Sequence, residues 1–346
     1  MSDGRLAVGI FGLGRSGWDI HANALADHDG FAVTAVADPV EERRQEARER
    51  FGCETFADAE ALLESADVDV VVVATPSHTH VPLTIKALQA GRHVVAEKPM
   101  AASVAEMDDM VAAAEQAGRV LTCYQPRRLD PDFAFVQEVL ASGRLGEIML
   151  LRRTSHRFTR RSDWQTLRKY DGGELSNTVP HLLDQVLLLL GEEPNDLFAD
   201  LRHTVGLGDA EDHVKLCLRA EGGPLAEIES SLGMAIPQPA WQISGTTGAL
   251  VGDGTTFTLR WFDPNSLVSL ELHEGPAVGR RYGNGETIDW QQEVRTLGRG
   301  NRSQALRYYD RLESTLRDGA AVFVTPASVR RQIRVIENAR LQTGYA

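Results

Sequence analysis

The stretch Gly12-Leu13-Gly14-Arg15-Ser16-Gly17 constrains this chain more than any other. It follows an apolar run, Leu6–Phe11, that reads as a buried strand, and it precedes a helical pattern over 18–26. A second apolar strand, 32–37, ends in Asp38. Glycines cluster at many tight turns, but strand, glycine turn, helix and an acid closing the next strand together specify a dinucleotide site. Gly12 permits the turn, Gly14 lets the backbone approach a pyrophosphate, and Gly17 lets helix and strand pack closely. The helix N-terminus stabilises the anion. Asp38 is placed to bind ribose hydroxyls, which favours NAD over NADP. It also reads as an N-cap, because Asp38-Pro39-Val40-Glu41 is a helix start with proline first and glutamate third. The cap needs only one carboxylate oxygen, so both roles are compatible. Arg43 and Arg44 sit on a helix so charged that a solvated surface outweighs a 2′-phosphate contact.

The alternation continues through helices at 40–51 and 58–65 and a valine-rich strand at 68–74. Thr75-Pro76-Ser77-His78-Thr79-His80 then leads into a helix ending near Ala90. Thr75 or Ser77 suits a helix cap. His78 and His80 suit polar loop or first-turn positions, since two histidines without a third ligand nearby do not make a metal site. Strand His93–Ala96, helix Val104–Ala117 and a strand at 120–124 complete a doubly wound sheet of six strands. His93–Ala96 runs directly into Glu97-Lys98-Pro99. A lysine there lies beyond a strand tip, where open α/β sheets bind ligands, and Pro99 ends the strand.

After Gln125 the pattern changes. A helix at 133–142 is followed by β patterns at 148–157, 196–205, 214–218, 226–232, Trp241–Gly245, 257–261 and 267–272. Helices at 302–317 and 327–341 close the chain. This predicts an α/β protein with a Rossmann domain over 1–125 and an α+β domain over 126–346. The second domain holds a large, mostly antiparallel sheet, and its C-terminal helix is free to pack back on the first. Within it, a helix begins within a few residues of Asn177 and runs to Gly191. Asn177, His181 and Asp184 or Gln185 fall on one stripe of that helix. A first-turn histidine is either a hydrogen-bonded structural residue or, opposite a cofactor, the natural proton-transfer group. Seven lysines and arginines lie between Arg152 and Lys169. They read as a solvated strand face, a surface loop or a charged subunit contact ahead of an anion-binding rim. Trp164 and Tyr170 in that loop are candidates to stack on a sugar ring.

The net charge of −13 over 346 residues argues against nucleic acid or an anionic membrane as partner. Only Cys53, Cys123 and Cys217 occur, far apart, which fits a reducing compartment and no disulfide framework or structural metal. No signal segment and no apolar run of membrane-spanning length is visible, so a cytoplasmic enzyme is expected.

With these motifs the sequence resembles the glucose–fructose oxidoreductase / inositol dehydrogenase (Gfo/Idh/MocA) family of NAD(P)-dependent oxidoreductases over nearly its whole length. The resemblance is carried by the Gly12–Gly17 turn, Asp38-Pro39, Ala74-Thr75-Pro76 with His80, and Glu97-Lys98-Pro99. Arg127-Arg128, Gly172-Gly173 and Asn177…His181-Leu182-Leu183-Asp184 extend it. It implies a dinucleotide held by the turn residues Leu13, Arg15 and Ser16 among the glycines, with Asp38, Thr75, Pro76, His80, Glu97 and Lys98. It implies a cis Lys98–Pro99 bond, Lys98 and His181 as catalytic residues, and substrate contacts from Asn177 and Arg128. Many members carry aspartate where this chain has Asn177; an amide still holds a hydroxyl but makes no Asp–His dyad. The expected reaction is hydride transfer between NAD and a secondary alcohol of a sugar, cyclitol or related polyol. His181 takes the proton and Lys98 stabilises the alkoxide. A homodimer or homotetramer through the second sheet is expected. The same fold includes NAD-assisted glycoside hydrolases and non-catalytic regulators; the presence of both Lys98 and His181 speaks against the regulator.

Overall fold

The computed structural model describes residues 4–272, 274–275, 286–298 and 302–345. Leu6–Phe11 (β1), Phe31–Ala37 (β2), Glu54–Phe56 (β3), Val70–Val73 (β4), His93–Ala96 (β5) and Leu121–Cys123 (β6) form one sheet in the order β3-β2-β1-β4-β5-β6. Every pairing in it is parallel. The four valines of β4 are fully buried, as a parallel sheet covered by helices on both faces requires. Five strands coincide with the apolar runs of the sequence. The sixth, β3, is a three-residue edge strand that no apolar run marks.

The helix behind the glycine turn is π-helical over Ser16–Ala22 before continuing as Asn23–Ala26. π-Helical turns are rare and gather at functional sites. This one contains His21, whose Nε2 lies 3.2 Å from Glu97 Oε1 and whose Nδ1 lies 2.7 Å from the Tyr309 hydroxyl. The next helix is Glu41–Phe51, with Val40 as its N-cap and no side-chain cap. Asp38 is therefore not the helix cap expected of it. Its carboxylate closes the turn before the helix instead, accepting from Val40 N at 2.9 Å.

The second sheet has eight strands: Ile148–His156 (β7), Asp196–Arg202 (β8), His213–Arg219 (β9), Leu225–Ser231 (β10), Trp241–Gly245 (β11), Gly248–Gly252 (β12), Thr256–Trp261 (β13) and Gln291–Thr296 (β14). Their order is β14-β13-β12-β11-β7-β10-β9-β8, and only β7 and β10 run parallel. The strand expected at 267–272 does not form. The outer edge of β13 is taken by β14, leaving Val268 and Leu272 65% and 90% exposed. β14 itself reads Gln-Gln-Glu-Val-Arg-Thr, too polar to announce a strand, and β12 is hidden by the tight hairpin after β11.

The helix Val179–Leu190 covers one face of this sheet with Leu182, Leu183, Val186 and Leu187, all buried. Each contributes about 1.5–3 kcal/mol of burial. Strands β7, β9 and β10 carry an ion-pair lattice of Arg152, Lys215, Glu227 and Glu229. The two closing helices, Gln304–Asp318 and Pro326–Thr343, belong to both halves. Tyr308, Tyr309, Leu312, Val329 and Ile333 join the core of the first sheet, while Val335, Ile336 and Ala339 join that of the second.

Candidate active site

Two of the three fingerprint glycines are fixed by sterics. Gly12 has φ +85°, and a Cβ there would lie 2.8 Å from Ala74 O; at Gly17 it would lie 1.8 Å from Gly12 O. At Gly14 a Cβ would meet nothing, so bare backbone faces a cavity of about 860 Å³ that Arg15, Ser16, Asp38, Thr75 and Pro76 also line. Such a cradle fits a pyrophosphate at a helix N-terminus. Asp38 ties its two turns together, accepting from Leu13 N at 2.7 Å and from Val40 N at 2.9 Å. A carboxylate offers about four acceptor sites, so capacity for ribose hydroxyls remains. Arg43 lines the same cavity with Nη1 3.4 Å from Asp38 Oδ2, whereas Arg44 turns back to the Asp38 carbonyl and Glu41.

His80 lies against the cavity as a brace. Its buried ring spans Pro99 O and Thr75 O, each at 2.8 Å, joining the turns that follow β4 and β5. Burial lowers its pKa, while the two carbonyls oppose that shift. His78 stands apart, tilted against Tyr170 at 5.4 Å between ring centroids. Among the described residues no three His, Cys, Asp or Glu side chains gather as a metal site would need.

The Lys98–Pro99 bond is cis. Lys98 Nζ donates to the Asn177 carbonyl at 2.7 Å and to Asn177 Oδ1 at 3.2 Å. That carbonyl is available because the expected helix is two: Glu174–Asn177 and Val179–Leu190, broken at Thr178. His181 N bonds Thr178 O at 3.1 Å, leaving Asn177 O without its helical donor. Burial lowers the Lys98 pKa; Glu97 opposes the shift and Arg127 adds to it. His181 lines the same cavity, of about 730 Å³, with Lys98, Asn177, Arg127 and Arg157. Its pKa falls well below 6.5, through burial first and then the charges of Lys98, Arg127 and Arg153. His181 Nδ1 lies 2.9 Å from Gln125 Oε1, and Nε2 makes no hydrogen bond to any described residue. Arg15, Ser16, Glu97, Lys98 and Gln165 line both cavities, so the two spaces adjoin.

Three residues expected at the substrate lie elsewhere. Arg128 is locked by Asp184 in a two-pronged ion pair, Nε–Oδ2 2.8 Å and Nη2–Oδ1 2.6 Å, and supports the fold from below the cleft. Trp164 lines the cavity beside the glycine turn, not the one holding His181. Tyr170 packs on His78 with Lys169 over its ring. Nor is the basic segment uniformly solvated: Arg153 is 5% exposed, 4.5 Å over the Trp241 ring and bonded to Gln185. The sequence reading missed Gln125, which follows β6 much as Lys98 follows β5. It also missed Gln165, whose Nε2 lies 3.4 Å from Asn177 Oδ1, and Glu174, which is buried and paired with Arg157 at 3.1 Å.

Both halves of the chain are similar to known proteins. Residues 6–125 match the family model for the GFO/IDH/MocA oxidoreductases with an NAD-binding Rossmann fold. Residues 133–251 match the model for the C-terminal domain of the same family. The chain is 32% identical to the myo-inositol 2-dehydrogenase of Thermotoga maritima over 231 residues, 65% of this chain and 68% of that protein. It is 29% identical to the scyllo-inositol 2-dehydrogenase (NADP(+)) IolW of Bacillus subtilis over 96% of this chain and 92% of that protein. In fold it is similar to an NAD-binding protein from Listeria innocua, with a TM-score of 0.82 at 24% identity, covering 98% and 96% of the two chains.

Proposed function

The chain belongs to the Gfo/Idh/MocA family of NAD-binding oxidoreductases, and on that premise we propose that it is an NAD-dependent dehydrogenase oxidising a secondary alcohol of an inositol, sugar or related polyol. One observation carries the reading. The Lys98 ammonium and a His181 ring with an unpartnered Nε2 line one cavity, and that cavity adjoins the space beside the glycine turn. Bound NAD supplies the hydride acceptor. His181 Nε2 takes the hydroxyl proton as the C–H bond breaks, and the Lys98 ammonium stabilises the oxygen as charge develops on it. Asn177, with its amide beside Lys98, orients a neighbouring hydroxyl. Neutral His181 suits this role, because only the unprotonated ring accepts a proton.

Asp38 supports NAD as the preferred cofactor, since its carboxylate repels a 2′-phosphate. The two inositol dehydrogenases named above support a cyclitol as substrate class. The ion-pair lattice on β7, β9 and β10 is the surface proposed to meet a second copy across a two-fold axis. Among the described residues no helix is long and apolar enough to cross a membrane, and three unpaired cysteines fit a reducing cytoplasm. The test is incubation of the purified protein with NAD and a panel of inositols and sugars, following NADH absorbance. Net NADH with a cyclitol or free sugar supports the reading. Product formed from a glycoside without net NADH would replace it with redox-assisted cleavage.

A further inference from the structure

His181 is the cavity end of a line of hydrogen bonds whose other members are buried. Its Nδ1 meets Gln125 Oε1 at 2.9 Å. Gln125 Nε2 donates to Gln332 Oε1 at 3.1 Å, and Gln332 Nε2 donates to Asp184 Oδ1 at 2.6 Å. Arg128 grips the Asp184 carboxylate from the far side. Gln125, Gln332 and Asp184 are 1%, 2% and 2% exposed. The line crosses the protein: Gln125 follows β6, Asp184 lies on the helix below the second sheet, and Gln332 comes from the last helix.

Each link in this line has a direction. An amide offers an oxygen that only accepts and an NH₂ that only donates, so between two partners it transmits polarity. Arg128 donates to both oxygens of Asp184, and among the described residues Gln332 is the remaining partner at Oδ1. Burial raises the Asp184 pKa and the Arg128 guanidinium opposes that rise; a guanidinium that donates to both oxygens holds the group as an accepting carboxylate. Gln332 must therefore turn its NH₂ to Asp184 and its oxygen to Gln125. Gln125 must turn its NH₂ to Gln332 and its oxygen to His181. An oxygen there can be met only by a ring nitrogen that carries hydrogen. Flipping either amide would set like groups against each other at both of its ends.

We propose that Gln125 and Gln332, anchored by Asp184 and Arg128, are positioning residues that hold His181 as the Nδ1–H tautomer and so keep the Nε2 lone pair directed to the substrate. The proposal rests on His181 being the proton acceptor for its catalytic meaning, but the tautomer itself does not. Burial, and then the cations Lys98, Arg127 and Arg153, favour the neutral form of the ring, the form in which the two tautomers differ.

The experiment is long-range ¹⁵N–¹H NMR of histidine-labelled protein at about pH 8, where an ordinary histidine is neutral, with the His181 signal assigned by its loss in His181→Gln. Wild type should show a hydrogen on Nδ1 and none on Nε2. Gln332→Leu, which removes the link, should show mixed tautomers and a kcat lower by about tenfold or more with NAD affinity unchanged. Gln332→Glu should retain the Nδ1–H form, because a carboxylic acid can donate its O–H to Asp184 and accept from Gln125. A wild-type His181 carrying hydrogen on Nε2 overturns the proposal without any variant, as does a pure Nδ1–H signal in folded Gln332→Leu. The spectrum does not depend on turnover. A protein with the expected tautomer and no dehydrogenase activity would refute the proposed function alone.

Discussion

Lys98, in the turn after β5, and Asn177, at the end of a short helix 79 residues on, are joined twice: the lysine ammonium donates to both the carbonyl and the side-chain oxygen of the asparagine. The carbonyl contact exists because the helix breaks at Thr178. A lysine held by an amide and a carbonyl keeps its charge without spending it in an ion pair, so that charge remains for an oxygen developing nearby. With aspartate at this position the ammonium would face an anion instead.

Replacing Lys98 or His181 with alanine should lower kcat by about 10²–10⁴-fold, with NAD affinity by calorimetry close to wild type. Because both serve one proton transfer, the double variant should cost less than the product of the singles. An active His181→Ala enzyme would move the base to Lys98.

Asn177→Asp should raise the pKa of His181 by adding a carboxylate to a ring now surrounded by Lys98, Arg127 and Arg153. Oxidation needs the neutral ring, so rate falls as pH drops through that pKa. The acidic limb of kcat/KM should therefore move to higher pH in the variant. An unmoved limb with activity retained would mean that another group titrates.

NAD should bind more tightly than NADP, and Asp38→Ser should narrow the difference while costing stability, since Leu13 N and Val40 N both lose a charged acceptor. Equal or tighter binding of NADP by the wild type would point to Arg43, 3.4 Å from that carboxylate, as a phosphate contact.

Stability should decline in two acid steps. The folded pKa of His181 lies well below 6.5, so below that value the unfolded chain binds the extra proton and unfolding is favoured as pH falls. The buried ring of His80 and the half-buried ring of His93 act in the same direction. Glu229, held at about 2 by His156 and Lys215 against burial, contributes stability that is lost from its ordinary 4.5 downward. Urea midpoints measured from about pH 8 to about pH 5 should flatten in His181→Gln, and a slope unchanged by that substitution would contradict the assignment.

Sedimentation at micromolar protein should show a dimer or larger, and Glu227→Lys, which breaks the lattice with Arg152 and Lys215, should shift it toward monomer. A monomeric wild type would dismiss the β-sheet contact.

Much of this was legible in the sequence because it depends on local rules. The glycine turn, Lys98 at a strand tip and His181 at a helix start each follow from one segment. What was hidden depends on partners far along the chain. Arg128 looks like a substrate residue until Asp184 is beside it, and the helix break at Thr178 answers to Lys98. Gln332 left one faint mark: it is a polar residue on the apolar stripe of Val329, Ile333 and Ile336, where an unpaired amide would be costly. Polar edge strands such as β14 leave no mark, since their pattern is that of any loop.

The two C-terminal helices carry a temporal consequence. Tyr308, Tyr309 and Leu312 complete the core of the sheet formed by residues 6–123, and Tyr309 also reaches His21 under the glycine turn. During synthesis that sheet leaves the ribosome long before residues 304–333 do. Until they arrive, the part of its core that Tyr308, Tyr309, Leu312, Val329 and Ile333 complete stays open, and the histidine relay lacks Gln332. The helices between its own strands cover that sheet early, and the last two close what they leave open.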